Sequence, residues 1–429
     1  MRFCFALLAL PFALVAALAD DWPQFRGPGR NGISAEKGLT TSWNKEGPPV
    51  LWKIDTLGMG YSAPAVVGDT LYILGSDDQT EYLLALDTAT GKKRFETPLG
   101  ELYSNPWGGG PRGTPTVDGQ RVYALGAKGG LVCADAKTGK TLWKVDLVAD
   151  LGGVLKTYAY PNWGYVESPL VDDKHVYITP GGPKGTMAAL DKKTGKVVWR
   201  STEWTDEIDY VSPIKHTVAG TPMLIQMTGA HVAGLTPAEG KILWKFPREA
   251  KITISSPLAK GNLVFVASSY TVGCDLIRLT PKDDGTFEAK AVYDEAKRKI
   301  MQNHHGGMIL LDDYVYGYSD SRGWSCLQLE SGEVAWKSMK LGKGSVVYAD
   351  GYLWCYAEED GTLAVLEASP RGYQEKRRFR IAQPSNRPRP ERNKSNVWTH
   401  PVIAHGKLYL RDQESLVCYN LKGNSLKGK

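Results

Sequence analysis

Residues 189–199 read Ala189-Leu-Asp-Lys-Lys-Thr-Gly-Lys-Val-Val-Trp199, and this stretch decides the fold. An Asp side chain accepts hydrogen bonds from backbone N–H groups two and three residues on, and Gly takes the positive φ that turns the chain back, so the stretch is a hairpin between two antiparallel strands. The same text recurs as Ala85-Leu-Asp-Thr-Ala-Thr-Gly-Lys-Lys-Arg-Phe95 and Cys133-Ala-Asp-Ala-Lys-Thr-Gly-Lys-Thr-Leu-Trp143. Weaker copies run from Gly234 to Trp244 and from Cys326 to Trp336, each with Gly four residues before the aromatic.

Upstream of each hairpin lies another, as in Thr114-Pro-Thr-Val-Asp-Gly-Gln-Arg-Val-Tyr-Ala-Leu125, so one unit is a four-stranded meander. The aromatics closing the last strand are Trp52, Phe95, Trp143, Trp199, Trp244, Tyr293, Trp336 and Phe379, spaced 43 to 56 residues apart. A four-stranded unit at that period is a propeller blade. Val50-Leu-Trp-Lys-Ile54 lacks three strands before it and Pro401–Leu421 lacks a fourth strand after it. The reading is therefore all-β, an eight-bladed β-propeller of four-stranded antiparallel blades, closed by pairing of the N-terminal strand with the C-terminal blade. A count of seven, with a decayed unit near 270–295, is the alternative.

Composition agrees. With 47 Gly, 25 Pro and 43 aromatics among 429 residues, the chain is globular and turn-rich, which excludes disorder and collagen. Residues 1–19 read as a cleavable signal peptide: Arg2 precedes the apolar run Phe3–Leu18, and Ala17-Leu-Ala19 supplies small residues. The first mature residue is then Asp20 and not Cys, so there is no lipobox, and a periplasmic or secreted location follows with no transmembrane segment after cleavage. Residues 20–49 form a lead-in and 50–429 the propeller. Loss of Arg2 leaves a formal charge of +5, too small to indicate nucleic acid. Cys133, Cys326 and Cys418 share a repeat position with Ala85 and Ala189, so they read as small core residues. The Trp of each repeat is expected to pack blade against blade.

In a propeller, the segments leading into the inner strands converge at one mouth of the axial channel. Here they hold Tyr61, Asn105, Trp107, Arg112, Asn162, Trp163, Tyr165, Glu167, Asn303, His304, His305, Trp398 and His400. All of these except Asn162 and Asn303, which are further amides of the same segments, are the candidate binding residues. No catalytic residue or metal ligand is assigned, because adjacent His304 and His305 on an extended strand point to opposite faces. Ser62, Ser168, Ser212 and Ser256 recur before Pro and read as parts of the turn into each blade. Residues 371–394 carry nine basic and two acidic side chains with Pro384, Pro388 and Pro390, a basic loop, irregular at least in its second half, that reads first as a solvated loop, the alternative being one that overhangs the mouth and meets an anionic partner.

The Asp-x-x-Thr-Gly-Lys-x-x-Trp units resemble the repeats of pyrroloquinoline quinone (PQQ) propellers, over nearly all of the mature chain. Asp21-Trp-Pro-Gln-Phe-Arg-Gly-Pro-Gly-Arg-Asn-Gly32 resembles the leader of secreted bacterial quinoprotein-like propellers. That family includes quinoprotein alcohol dehydrogenases and an outer-membrane assembly lipoprotein. The resemblance implies either a cofactor-free binding or protein-interaction scaffold of the envelope or a PQQ-dependent alcohol or sugar oxidoreductase with PQQ and Ca²⁺. The scaffold is the expectation, with an envelope protein or a small anionic or polar ligand at the mouth. The adjacent cysteine pair of the dehydrogenases is missing, and Glu167 is the only carboxylate expected there.

Overall fold

A computed structural model describes residues 21–155, 162–387 and 397–423; the signal-peptide reading lies outside them. The described chain forms eight four-stranded antiparallel sheets and a single short 3₁₀ turn, Lys297–Ile300. Blades 1 to 7 follow in chain order, beginning with Ala65–Val67, Thr70–Ser76, Thr80–Asp87 and Lys93–Glu101. The region near 270–295 is a full blade, with strands Leu258–Lys260, Leu263–Ser268, Gly273–Pro281 and Phe287–Ala291, so the count is eight. Blade 8 combines Val402–Ala404, Lys407–Asp412 and Ser415–Asn420 with Val50–Ile54 as its outer strand. Trp52 pairs with Cys418 and Ile54 with Leu416, which removes the open sheet edges of a linear array.

The repeat chemistry is local and visible. Asp191 Oδ1 accepts from the N–H of Lys193 (3.1 Å) and Thr194 (2.9 Å) and from the Thr194 hydroxyl (2.8 Å). Asp87 and Asp135 hold their turns in the same way. Gly91, Gly139, Gly195 and Gly240 take φ of 71°, 74°, 72° and 69°. The closing indoles stitch blades together: Nε1 of Trp52, Trp143, Trp199 and Trp336 donates to the carbonyl of Thr88, Lys192, Pro237 and Ser369 in the following blade. Trp244 is the exception. Its N–H turns to Met223 Sδ inside its own blade, because Gly234 stands where the other repeats have Ala or Cys and leaves room for the indole. The five described cysteines are buried and free.

Around the axis, the serine hydroxyls before the inner strands of blades 3, 4 and 5 form an inter-blade belt. Ser168 Oγ accepts from Thr114 N–H, Ser212 Oγ accepts from Ser168 N–H, and the Ser256 hydroxyl donates to the Ser212 carbonyl. This belt occupies those hydroxyls structurally, as their recurrence before Pro suggests.

The lead-in crosses the other end of the channel. Trp22 exchanges backbone bonds with Val66 of blade 1, and Val117 of blade 2 donates to the Pro23 carbonyl. Arg30 donates to the carbonyls of Ser168 and Pro169 at blade 3, and Arg26 to that of Met308 at blade 6. Ser34 N–H donates to Tyr348 of blade 7 and its hydroxyl to Ile403 of blade 8. Residues 21–34 thus bond to six of the eight blades and plug the channel.

Candidate functional site

The site follows from strand alternation. Six inner strands are preceded by Pro, and residues one and three positions before it face the axis. These are Ala63 and Tyr61 in blade 1, Thr114 and Arg112 in blade 2, Ser168 and Val166 in blade 3, Ser212 and Tyr210 in blade 4, Ser256 and Ile254 in blade 5, and His400 and Trp398 in blade 8. Blade 6, with Met308 in place of Pro, supplies Gly307 and His305. Together with Trp107, Trp163, Tyr270 and His304 from the loops, and Phe25 and Arg26 from the plug, they enclose a cavity of about 360 Å³. That is within the range of small-molecule sites.

Eight candidates therefore meet: Tyr61, Trp107, Arg112, Trp163, His304, His305, Trp398 and His400. The rings are in contact. Tyr61 and Trp398 have centroids 4.9 Å apart, Trp163 and Trp398 5.2 Å, and Trp107 and Trp163 stack at 6.4 Å. Asn105 is not a lining residue. Its Nδ2 donates to the Asn162 carbonyl (2.7 Å) and its Oδ1 accepts from Trp107 N–H (2.9 Å), which shapes the loop that presents Trp107.

Tyr165 and Glu167 do not reach the cavity, a correction to the expected site. They stand four and two residues before Pro169, on the opposite phase of the alternation. Tyr165 is buried in blade 3 and donates to the Pro180 carbonyl at 3.1 Å. Glu167 is 3% exposed and accepts from Thr179 N–H (2.5 Å) and its hydroxyl (2.7 Å). Burial raises its carboxyl to about 7, against the pull of those bonds and of Arg30. Asn303 is also buried, donating to the Gly307 and Tyr318 carbonyls.

Arg112 lines the cavity but is engaged with its own loop. Its Nη2 donates to the Gly108 carbonyl (2.7 Å) and its Nη1 to that of Gly110. The guanidinium carbon lies 5.5 Å from the Tyr61 centroid, 5.2 Å from Tyr103 and 5.5 Å from Trp163. Both ends of the fork hold the Trp107 loop, and the charge rests on three ring faces.

The histidines stand beside a network of Glu358, Lys343 and Asp320. His305 Nε2 lies 2.5 Å from Glu358 Oε2. Burial pushes the Glu358 carboxyl up, but hydrogen bonds from His305 and Trp398 and the charge on Lys343 outweigh it and hold it below the usual carboxylate range. Lys343 Nζ meets His304 Nδ1 at 2.7 Å and Asp320 Oδ1 at 2.9 Å. Burial, with the charges of His305 and Lys343, keeps His304 neutral. His400 is pulled down to about 3 by burial and Arg26, and its Nε2 lies 3.0 Å from the His305 carbonyl. Among the described residues no group of three or more His, Cys, Asp or Glu side chains is arranged to hold a metal.

A site for PQQ with Ca²⁺ needs carboxylate ligands for the cation and a base near the substrate hydroxyl. No Asp or Glu is among the described residues lining the cavity, and the Arg112 fork, which could otherwise pair with a carboxylate of the cofactor, is engaged with its own loop. The residues present do not fit that cofactor pair.

The basic segment is also placed differently. Glu375–Arg380 is the outer strand of blade 7, far in register from the axis. Arg371 and Lys376 pair with Glu367, Arg378 with Glu375, and Arg387 with Glu414. Residues 388–396 lie outside the described ones. Phe25, Arg26, Tyr210, Ile252, Ile254 and Tyr270 were missed from sequence. Tyr210 and Ile254 had a signal, since each stands three residues before a Pro that opens a blade.

Eight closed blades with repeated Asp-x-x-Thr-Gly hairpins and one axial cavity define the class, a propeller of PQQ-like repeats. A family model described as outer membrane protein assembly factor BamB matches residues 81–338, and the chain belongs to that family. Outer membrane protein assembly factor BamB of Yersinia pestis is 21% identical over 267 residues, 58% of this chain and 62% of that protein. Serine/threonine-protein kinase AfsK of Streptomyces griseus is 26% identical over 201 residues, 46% of this chain and 21% of the kinase. The match thus spans about three fifths of the first relative and a fifth of the second.

Among solved structures, BamB from Moraxella catarrhalis superposes with a TM-score of 0.58 at 13% identity, covering 87% of this chain and 99% of that one. Quinohemoprotein alcohol dehydrogenase from Comamonas testosteroni gives 0.60 at 12%, covering 96% and 82%. The computationally designed protein Ika8 gives 0.57 at 12%, covering 87% and 99%. An assembly factor, a dehydrogenase and a designed chain share this architecture, so it does not select a chemistry. No helix among the described residues is long and apolar enough to cross a membrane.

Proposed function

We propose that the protein is an exported, non-catalytic binding propeller of the cell envelope, which holds a small ligand or a partner's side chain in the axial cavity. The observation that carries this reading is the cavity lining: aromatic rings converge there with no carboxylate among the described lining residues. Ring faces and a shaped apolar wall bind, whereas dehydrogenation of an alcohol requires a base placed at the hydroxyl. Membership of a family described as an outer membrane assembly factor supports an envelope role, and the leader read in residues 1–19 supports export.

The test is dye-linked oxidation. Purified protein supplied with PQQ, Ca²⁺ and a panel of primary alcohols and sugars is expected to reduce no dye above the protein-free rate. Turnover that scales with protein overturns the binding reading.

A further inference from the structure

Four arginines are buried around the axis: Arg26 at 5% exposure, Arg30 at 4%, Arg112 at 8% and Arg411 at 1%. Three have an acid close enough to act on them: Glu167 on Arg30, Glu81 on Arg112, and Glu414 and Asp412 on Arg411. Arg26 has none among the described residues, and burial alone pulls it down to about 10. Its Nη2 donates to the Asn31 carbonyl (2.9 Å) and to that of Met308. Its Nη1 is buried without a hydrogen-bond partner among the described residues. A buried cation without a counter-ion is costly.

The chain is shaped to keep it there. Arg26 takes φ of 60°, a left-handed conformation that a side chain of its size rarely adopts. A Cβ on Gly307 would stand 1.9 Å from Arg26 Nη1 and 3.0 Å from His400 Cε1. Only glycine lets the guanidinium pass, and Gly307 has φ of 70° besides. Phe25, beside it on the plug, meets the His400 ring edge-on at 5.4 Å. The floor of the cavity is thus one uncompensated cation beside a neutral imidazole, and above it stand Trp163, Trp398 and Ile254.

We infer that the cavity binds an organic monoanion, a carboxylate carried on an apolar ring or short chain, with its charged head towards Arg26 on the plug and its body between the tryptophans. This rests on the binding reading above and specifies its ligand class. One cation with no acid selects a single negative charge, since His400 is neutral and Arg112 already has Glu81 and three ring faces. The plug is then part of the binding site as well as a seal.

Isothermal titration calorimetry with 2-naphthoate and its uncharged isostere 2-naphthamide tests the inference. The full mature chain is expected to bind the naphthoate saturably and at least tenfold more tightly than the amide. Arg26→Gln should bring the two within twofold, Arg26→Lys should keep a preference for the anion, and Arg112→Gln should keep it as well. Circular dichroism checks that each variant is folded, and the comparison of the two probes on the unmodified protein stands without any variant. Equal affinities, no saturable binding, or a preference abolished by Arg112→Gln and retained in Arg26→Gln overturns the inference. None of these results reports on turnover, so the dye-linked assay decides the binding reading separately.

Discussion

The indole of Trp143 in blade 2 lies against Gly195 in blade 3, so close that a Cβ on the glycine would stand 2.8 Å from two of its ring atoms. The same indole donates to the Lys192 carbonyl at 3.1 Å, three residues earlier in the same hairpin. Gly91 lies against Trp52, Gly139 against Phe95, and Gly240 against Trp199 in the same way. The repeat glycine therefore answers two demands at once. It turns the hairpin at positive φ and makes a flat seat for the aromatic of the preceding blade.

These two demands separate experimentally. Gly119 and Gly139 both have positive φ, 57° and 74°, but a Cβ at Gly119 meets open space while one at Gly139 comes within 2.3 Å of Phe95. Gly119→Ala should cost about 1 kcal/mol from backbone strain alone, and Gly139→Ala about 3 kcal/mol or more. Chemical denaturation of the two variants measures the difference, and equal losses would show that the seat contributes nothing.

Glu167 makes stability pH-dependent. Its carboxyl titrates at about 7 in the fold against 4.5 ordinarily, so the folded chain holds this proton longer than the unfolded one. The stability it contributes is whole below about pH 4, declines by about 3 kcal/mol as pH rises to about 7, and is level above that. Glu167→Gln should flatten this part of the profile. Melting temperatures of both proteins between pH 4.5 and 8 test it, and parallel profiles would place the titration elsewhere.

Arg112 holds the Trp107 loop by planar geometry that Lys cannot reproduce. Arg112→Lys should lose about 1–2 kcal/mol of stability and weaken the near-ultraviolet circular dichroism of the packed tryptophans. An unchanged aromatic spectrum would mean that the loop is held by Asn105 and its neighbours alone.

The fold was legible because its signals are local. An Asp, a Thr and a Gly within five residues make the hairpin wherever it occurs, and the unmatched strand Val50–Ile54 announced the closure. The mouth was legible in part. Aromatics and histidines outside the repeat register stood out, but the phase of the strand was not applied to them, so Tyr165 and Glu167 were grouped with Trp163 although they face into blade 3. Counting back from Pro169 separates them, and it also brings in Tyr210 and Ile254, whose types are unremarked in isolation. Phe25 and Arg26 were illegible for another reason. They reach His400 and Met308 across more than 280 residues of chain, and no spacing in the sequence records that contact. The pairing of the basic run was legible only in part, since Glu375 lies within it but Glu367 and Glu414 lie outside it in sequence.

Hydrogen–deuterium exchange of the protein, with and without saturating 2-naphthoate, tests most directly the claim that plug and mouth enclose one binding cavity. In the free protein, peptides covering 21–34 should exchange as slowly as the blade strands, since Trp22, Gly32 and Ser34 donate backbone bonds to Val66, Arg26 and Tyr348. Ligand should slow exchange further in 21–34 and in 303–307 together. Fast exchange of 21–34 in the free protein, or ligand protection that leaves this segment unchanged, would contradict the account.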